Sequence, residues 1–118
     1  MSFKSKHSFI ERKEQTDKIL TKYPNRVPII CEKATNTDIP DLDRKKFLVP
    51  NDILFSTFIS IIRKRLELEP HIGMYFFVSC NGTEAMLPTF KDVFSIYDEY
   101  KEKDGFLYIY YSGESTFG

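Results

Sequence analysis

One stripe of apolar residues does most to limit the folds open to this chain. Phe55, Phe58, Ile59, Ile62 and Leu66 recur at i, i+3, i+4, i+7 and i+11, one face of a helix, and Pro70 closes the segment. Runs suited to strands lie on both sides of it. Val27-Pro28-Ile29-Ile30-Cys31-Glu32 and Lys46-Phe47-Leu48-Val49-Pro50 come before, while Met74 to Cys80 and Phe106-Leu107-Tyr108-Ile109-Tyr110-Tyr111 come after. Asn81-Gly82 and Asp104-Gly105 read as turns, and residues 35–43 as a loop. A helix with one apolar face has to bury it, so two early strands, a helix and two later strands specify an α+β sheet wrapped on that helix. Residues 9–22 read as a polar helix with a narrow stripe at Phe9, Ile10, Ile19 and Leu20, stopped by Tyr23-Pro24-Asn25. A last helix is expected after Pro88, capped by Thr89 with Asp92 three residues on, and with Phe90, Val93, Phe94 and Tyr97 on one face. With two helices at the front of the chain, the predicted order is ααββαβαβ.

At 118 residues the chain holds one core, and 42% apolar with 15% aromatic content is that of a folded protein. No apolar run reaches the roughly 20 residues that span a bilayer, and no secretory signal opens the chain, so it reads as soluble and cytoplasmic. The net charge of zero hides an asymmetry: residues 1–26 carry seven Lys/Arg against three acids, and residues 84–118 carry three against seven. That balance argues against nucleic acid as the main partner. Cys31 and Cys80 both sit among apolar, strand-like neighbours and read as buried thiols. His7 and His71 lie in polar segments away from them, so neither a catalytic cysteine nor a metal site is expected.

Three blocks carry a family resemblance. They are Asn25-Arg26-Val27-Pro28-Ile29-Ile30-Cys31-Glu32-Lys33; Lys45-Lys46-Phe47-Leu48-Val49-Pro50 with Ile62-Arg63-Lys64-Arg65; and Lys103 to Tyr108 continuing through Ser112-Gly113-Glu114-Ser115-Thr116-Phe117-Gly118. In order and at this spacing, they resemble the GABARAP-type autophagy ubiquitin-like modifiers over essentially the whole chain. The resemblance implies a ubiquitin-like β-grasp, a four-stranded mixed sheet on a central helix, with two extra N-terminal helices. It divides the chain into a helical extension at 1–25, a ubiquitin-like domain at 26–112 and a flexible conjugation tail at 113–118. Ser8, Gln15 and Phe47 depart from the residues common in the family, and Cys80–Met86 looks a few residues long, suggesting an enlarged hairpin turn.

The same resemblance implies the chemistry. Gly118 would be adenylated, carried as a thioester and joined to phosphatidylethanolamine, and the lack of a Cβ eases passage through each narrow site. Gly113 would serve as a hinge in a polar lead-in. The implied partners are activating and conjugating enzymes, a processing and deconjugating cysteine protease, and cargo receptors carrying an aromatic-x-x-aliphatic motif. A covalent two-chain lipid would hold the modifier on autophagosomes and related vesicles. Receptors would add a strand to the edge Lys46–Pro50. By resemblance, Gln15, Ile19, Pro28, Ile30, Lys46, Leu48 and Phe106 would line an aromatic pocket. Phe47, Val49, Pro50, Ile53, Phe58, Ile61 and Arg65 would line an aliphatic one. Ile30, Phe58 and Phe106 fit an ordinary core equally well. Truncating Phe47 and Leu48 is expected to cost little stability, as for partly exposed walls.

No catalytic residue, cofactor or metal is expected, and a monomer is the default. An enzyme using Cys31 or Cys80 lacks an activating base. A nonconjugated ubiquitin-like trafficking adaptor would share the groove and not need the tail, and a modifier of proteins rather than lipid would use the same glycine.

Overall fold

The computed structural model describes residues 2–114. Its elements, in chain order, are α1 (Phe3–Lys6), α2 (Phe9–Lys22), β1 (Arg26–Lys33), β2 (Lys46–Pro50), α3 (Phe55–Leu66), β3 (Met74–Cys80), β4 (Thr83–Met86), α4 (Val93–Tyr100) and β5 (Leu107–Gly113). The strands form one sheet in the order β2-β1-β5-β3-β4. The central pair, β1 and β5, is parallel, and every other pairing is antiparallel. This is the ubiquitin-like plan, with two helices placed before the sheet.

Period-two alternation decides which side chain faces which layer. On β1, Val27, Ile29 and Cys31 turn toward α3 and α4 and join Phe47, Val49, Phe55, Phe58, Ile62, Ile96, Leu107 and Ile109 in the main core. Ile30 turns to the other face, where it meets Phe3, Phe106 and Tyr108, with Ile19 packed against them. Buried on both faces, β1 is apolar almost without interruption. Pro28 has no N–H to give, and it sits one residue before the β1–β5 ladder opens at Ile29↔Leu107.

Helices α1 and α2 are held on by polar contacts as well as by Phe3. Ser8 caps α2 in a capping box with Glu11. Arg12 Nε donates to Asp104 Oδ2 at 2.9 Å, with Asp104 buried, and Asp104 also accepts from the Tyr108 hydroxyl and the Phe106 N–H. Burial and the Asp104 contact push the Tyr108 hydroxyl pKa well up. Thr16, fully buried, donates to the Asp104 carbonyl. Gly105 lies beside it with φ +93°, where a Cβ would strike the Thr16 side chain, so the position demands glycine.

The architecture corrects five expectations about the elements and turns. The sheet has five strands rather than four, because Asn81 (φ 53°) and Gly82 (φ 80°) make a two-residue turn and Thr83–Met86 returns along Phe77–Cys80. The turn is therefore tight, not enlarged. Cys80 is exposed, since it ends β3 beside that turn, beyond the cover of the helices, while Cys31 is fully buried. Helix α4 begins at Val93 with Asp92 as its cap, accepting from the Ser95 N–H, which leaves Thr89 and Phe90 outside the helix. Finally, Gly113 is the last residue of β5, paired with Met74, and not a hinge.

Candidate functional site

β2 is one edge of the sheet, paired on one side only. Its alternation splits its side chains between two faces: Phe47 and Val49 are buried, whereas Leu48 is half-buried and Lys46 and Pro50 are exposed. Opposite Leu48 lies Pro28, and opposite Lys46 lies Ile30. The Leu48 carbonyl accepts from Arg26 Nη1 at 3.2 Å instead of from β1, so it faces the open edge. A row of outward backbone groups of this kind is what a partner strand pairs with.

On the α2 side, the residues predicted for the aromatic pocket are brought together. Ile30 and Phe106 are fully buried and Pro28 is buried, forming a floor, with half-buried Ile19 packed onto it. Leu48 supplies the strand-side wall. Lys46 Nζ donates to Gln15 Oε1 at 3.2 Å, a bridge from the edge strand to α2. The residue that departs from the family pattern thus still makes a polar contact here. Phe3, which the sequence analysis did not place, completes the floor: its ring meets Phe106 edge-on at 5.2 Å. Its N–H donates to buried Glu32. A lone ring in the otherwise polar segment before α2 was the available signal.

On the α3 side, Phe47 (2% exposed) packs edge-on against Phe58 (0%) at 5.9 Å. Phe47, Val49 and Phe58 are therefore part of the main core. Phe47 is not the partly exposed wall that was expected, because α3 closes over its face of the sheet. Ile53 is partly buried, Ile61 is 36% exposed and Pro50 is exposed, so these three offer apolar surface above that core. Arg65 stands over the Phe47 ring at 5.8 Å and grips Asp43 with Nη2 to Oδ2 at 2.8 Å. Hydrogen bonding to Arg65 holds the Asp43 carboxyl below the usual carboxylate range. Asp43 was not foreseen as its partner.

Chemically, the edge offers backbone hydrogen bonding flanked by an apolar cluster on each face, with Arg26, Lys46 and Arg65 as cations near its rim. A separate cleft of about 360 Å³ lies between α1 and the 33–45 segment. Its lysines pair with Glu102, Asp41 and Glu32, leaving its charges matched. Among the described residues no group of three His, Cys, Asp or Glu is placed to hold a metal, and no helix is long and apolar enough to cross a membrane. Cys31 is packed in the main core, and burial pushes its thiol pKa far up. Gly118 lies outside the described residues.

Comparison with known proteins agrees with this architecture. Residues 11–118 match the family described as autophagy protein Atg8, ubiquitin like. The chain is 48% identical over 117 residues to autophagy-related protein 8 of Mycosarcoma maydis, covering 99% of this chain and 96% of the relative. It is 44% identical to the Saccharomyces cerevisiae protein of the same name, covering 99% and 97%. The crystal structure of Trypanosoma brucei ATG8 superposes with a TM-score of 0.88 at 44% identity, over 100% of this chain and 98% of that one. The chain belongs to the Atg8 family of ubiquitin-like autophagy modifiers.

Proposed function

We propose that this protein is joined through Gly118 to phosphatidylethanolamine and, once on the membrane, recruits receptors carrying an aromatic-x-x-aliphatic motif to the β2 edge. It is the substrate of that chemistry and not its catalyst. Activating and conjugating enzymes load the tail, a cysteine protease processes and releases it, and the protein moves between cytoplasm and autophagosomal membranes. Within the family we place it with the GABARAP-type modifiers, on the three sequence blocks. In domain terms, 1–25 is the helical extension, the ubiquitin-like domain runs from 26 through Gly113 at the end of β5, and the residues after it are the conjugation tail.

The observation that carries the binding half is the outward Leu48 carbonyl, set between one apolar cluster that includes Ile30 and Phe106 and another that includes Phe47 and Phe58. A strand entering there would take over the bond that Arg26 now makes, and its aromatic and aliphatic side chains, three residues apart, would fall to opposite sides. Freed from Leu48, Arg26 would meet acidic residues beside the motif, each exposed pair contributing about 0–1 kcal/mol. Titration with a labelled aromatic-x-x-aliphatic peptide tests the reading. Amide shifts should concentrate on Lys46–Pro50 and on the α2 residues near Gln15 and Ile19. Shifts that leave β2 untouched would move the binding surface elsewhere.

A further inference from the structure

Three large apolar side chains stand exposed at one end of the domain and take no part in the groove. Leu54 is 46% exposed, Phe90 76% and Phe94 48%. The backbone gathers them. Leu54 and Asp92 form an antiparallel bridge. Around it, the Phe55 N–H donates to the Lys91 carbonyl at 2.8 Å, the Val93 N–H to Ile53 at 2.8 Å and the Phe94 N–H to Asn51 at 3.1 Å. Phe90 precedes and Phe94 follows the bridged Asp92 by two residues, so the same bonds bring both chain positions to either side of Leu54. Ile53, which alternates to the other side, packs on the main core. Nor does packing call for the rings: Val93, Ile96 and Tyr97 supply the buried face of α4.

Charge and size narrow what can cover this patch. Segments 51–60 and 89–101 together hold Asp52, Asp92, Asp98 and Glu99 against Lys91 and Lys101, two positive less four negative, a net of −2. Such a rim is repelled by an anionic lipid surface. Two copies face to face would set like charge against like. From typical aromatic side-chain areas and these exposures the patch offers about 300 Å², below the roughly 800 Å² per partner of a stable dimer. It is also in the range of the largest patch on ordinary monomers, which is often functional.

We propose that Leu54, Phe90 and Phe94 form a second docking surface, one that takes a short partner segment whose apolar side chains are flanked by Lys or Arg. The surface lies at the pole opposite Gly113, the last residue of β5. β2 reaches Leu54 from the end where β1 and β5 begin, whereas Gly113 leaves from the other end of β5. The inference does not depend on lipid linkage.

The test uses the full chain and a synthetic Leu/Lys amphipathic peptide as probe. A Leu/Glu peptide of the same pattern, phosphatidylserine vesicles and sedimentation of the protein alone are the other arms. The Leu/Lys peptide should shift the amides of 52–57 and 90–95, and Phe90→Lys should weaken it at least tenfold with the melting temperature nearly unchanged. Phe90→Ser/Phe94→Ser should act alike, and the aromatic-x-x-aliphatic peptide should bind both variants normally, so this surface and the groove can fail separately. The proposal is overturned if the Leu/Lys peptide shifts other amides or none, or if the Leu/Glu peptide binds equally. It is overturned too if vesicles or a second copy occupy the patch instead, or if the variants also lose the groove peptide.

Discussion

Truncating Phe47 and Leu48 one at a time should separate the groove from the core, because adjacent positions on β2 face opposite layers. Phe47 is 2% exposed, with its ring edge-on to Phe58 and the Arg44 and Arg65 guanidinium groups above it at 5.0 and 5.8 Å. Removing a buried Phe costs about 3–5 kcal/mol in transfer and cavity energy. For a domain of this size, at about 4 °C per kcal/mol, Phe47→Ala should lower the melting temperature by about 12–20 °C. Leu48 is half-buried, so roughly half the usual Leu→Ala loss applies, about 1–2 kcal/mol or 4–8 °C. Its role as the wall of the aromatic pocket should show in affinity: a loss of about 1–2 kcal/mol of binding, roughly 5- to 30-fold, for an aromatic-x-x-aliphatic peptide. A melting curve and an anisotropy titration at 25 °C read both quantities on each variant. If Leu48→Ala melts as low as Phe47→Ala, the side chain is core. If folded Leu48→Ala binds the peptide with full affinity, the pocket assignment fails.

Three further outcomes are expected. Arg12→Ala should lower stability by about 3 kcal/mol in denaturant unfolding, because it strips the cation from buried Asp104 while the Tyr108 and Phe106 bonds remain; a change under 1 kcal/mol would mean that the pair does not hold α2. Native protein should label with a thiol reagent at exposed Cys80 and resist at Cys31, where burial raises the thiol pKa, as peptide mass mapping can show. The Asp92 carboxyl is held below its ordinary value by the Ser95 N–H, so its capping contribution is present at neutral pH and lost as pH falls through its depressed value, below about 4. Asp92→Asn keeps a capping oxygen and should flatten the acid side of the stability–pH curve; an unchanged acid limb would place that dependence on other carboxylates.

The elements easiest to read were those whose periodicity was reinforced by burial. The α3 stripe is helical in pattern, and Phe55, Phe58, Ile62 and Leu66 are all buried. Residues 26–33 and 107–113 are apolar on both faces because they form the parallel centre of the sheet. β4 escaped notice because Thr83-Glu84-Ala85-Met86 is an exposed edge with no apolar alternation, so only pairing with β3 reveals it. Asp92 was visible, yet its choice over Thr89 as cap depends on contacts with the 51–56 segment, among them the Ser56 N–H to Thr89 carbonyl bond. Such contacts are not local in sequence. The pocket residues came from family resemblance rather than from pattern, since a buried residue such as Phe106 or Phe58 looks like any other core ring. Arg26 on Leu48 and Asp43 under Arg65 are long-range pairings, and nothing in the spacing of the charges announces them.

The central claim concerns Gly118, and intact-mass analysis addresses it most directly. The purified chain would be incubated with Atg8-type activating and conjugating enzymes, ATP and phosphatidylethanolamine liposomes, alongside Gly118→Ala and a form lacking Gly118. The account predicts that the wild-type chain gains one phosphatidylethanolamine less one water, mapped to Gly118, while both variants melt as the parent does and gain nothing. An adduct that forms without Gly118, or transfer of the wild-type chain to protein amines with no lipid adduct, would contradict it.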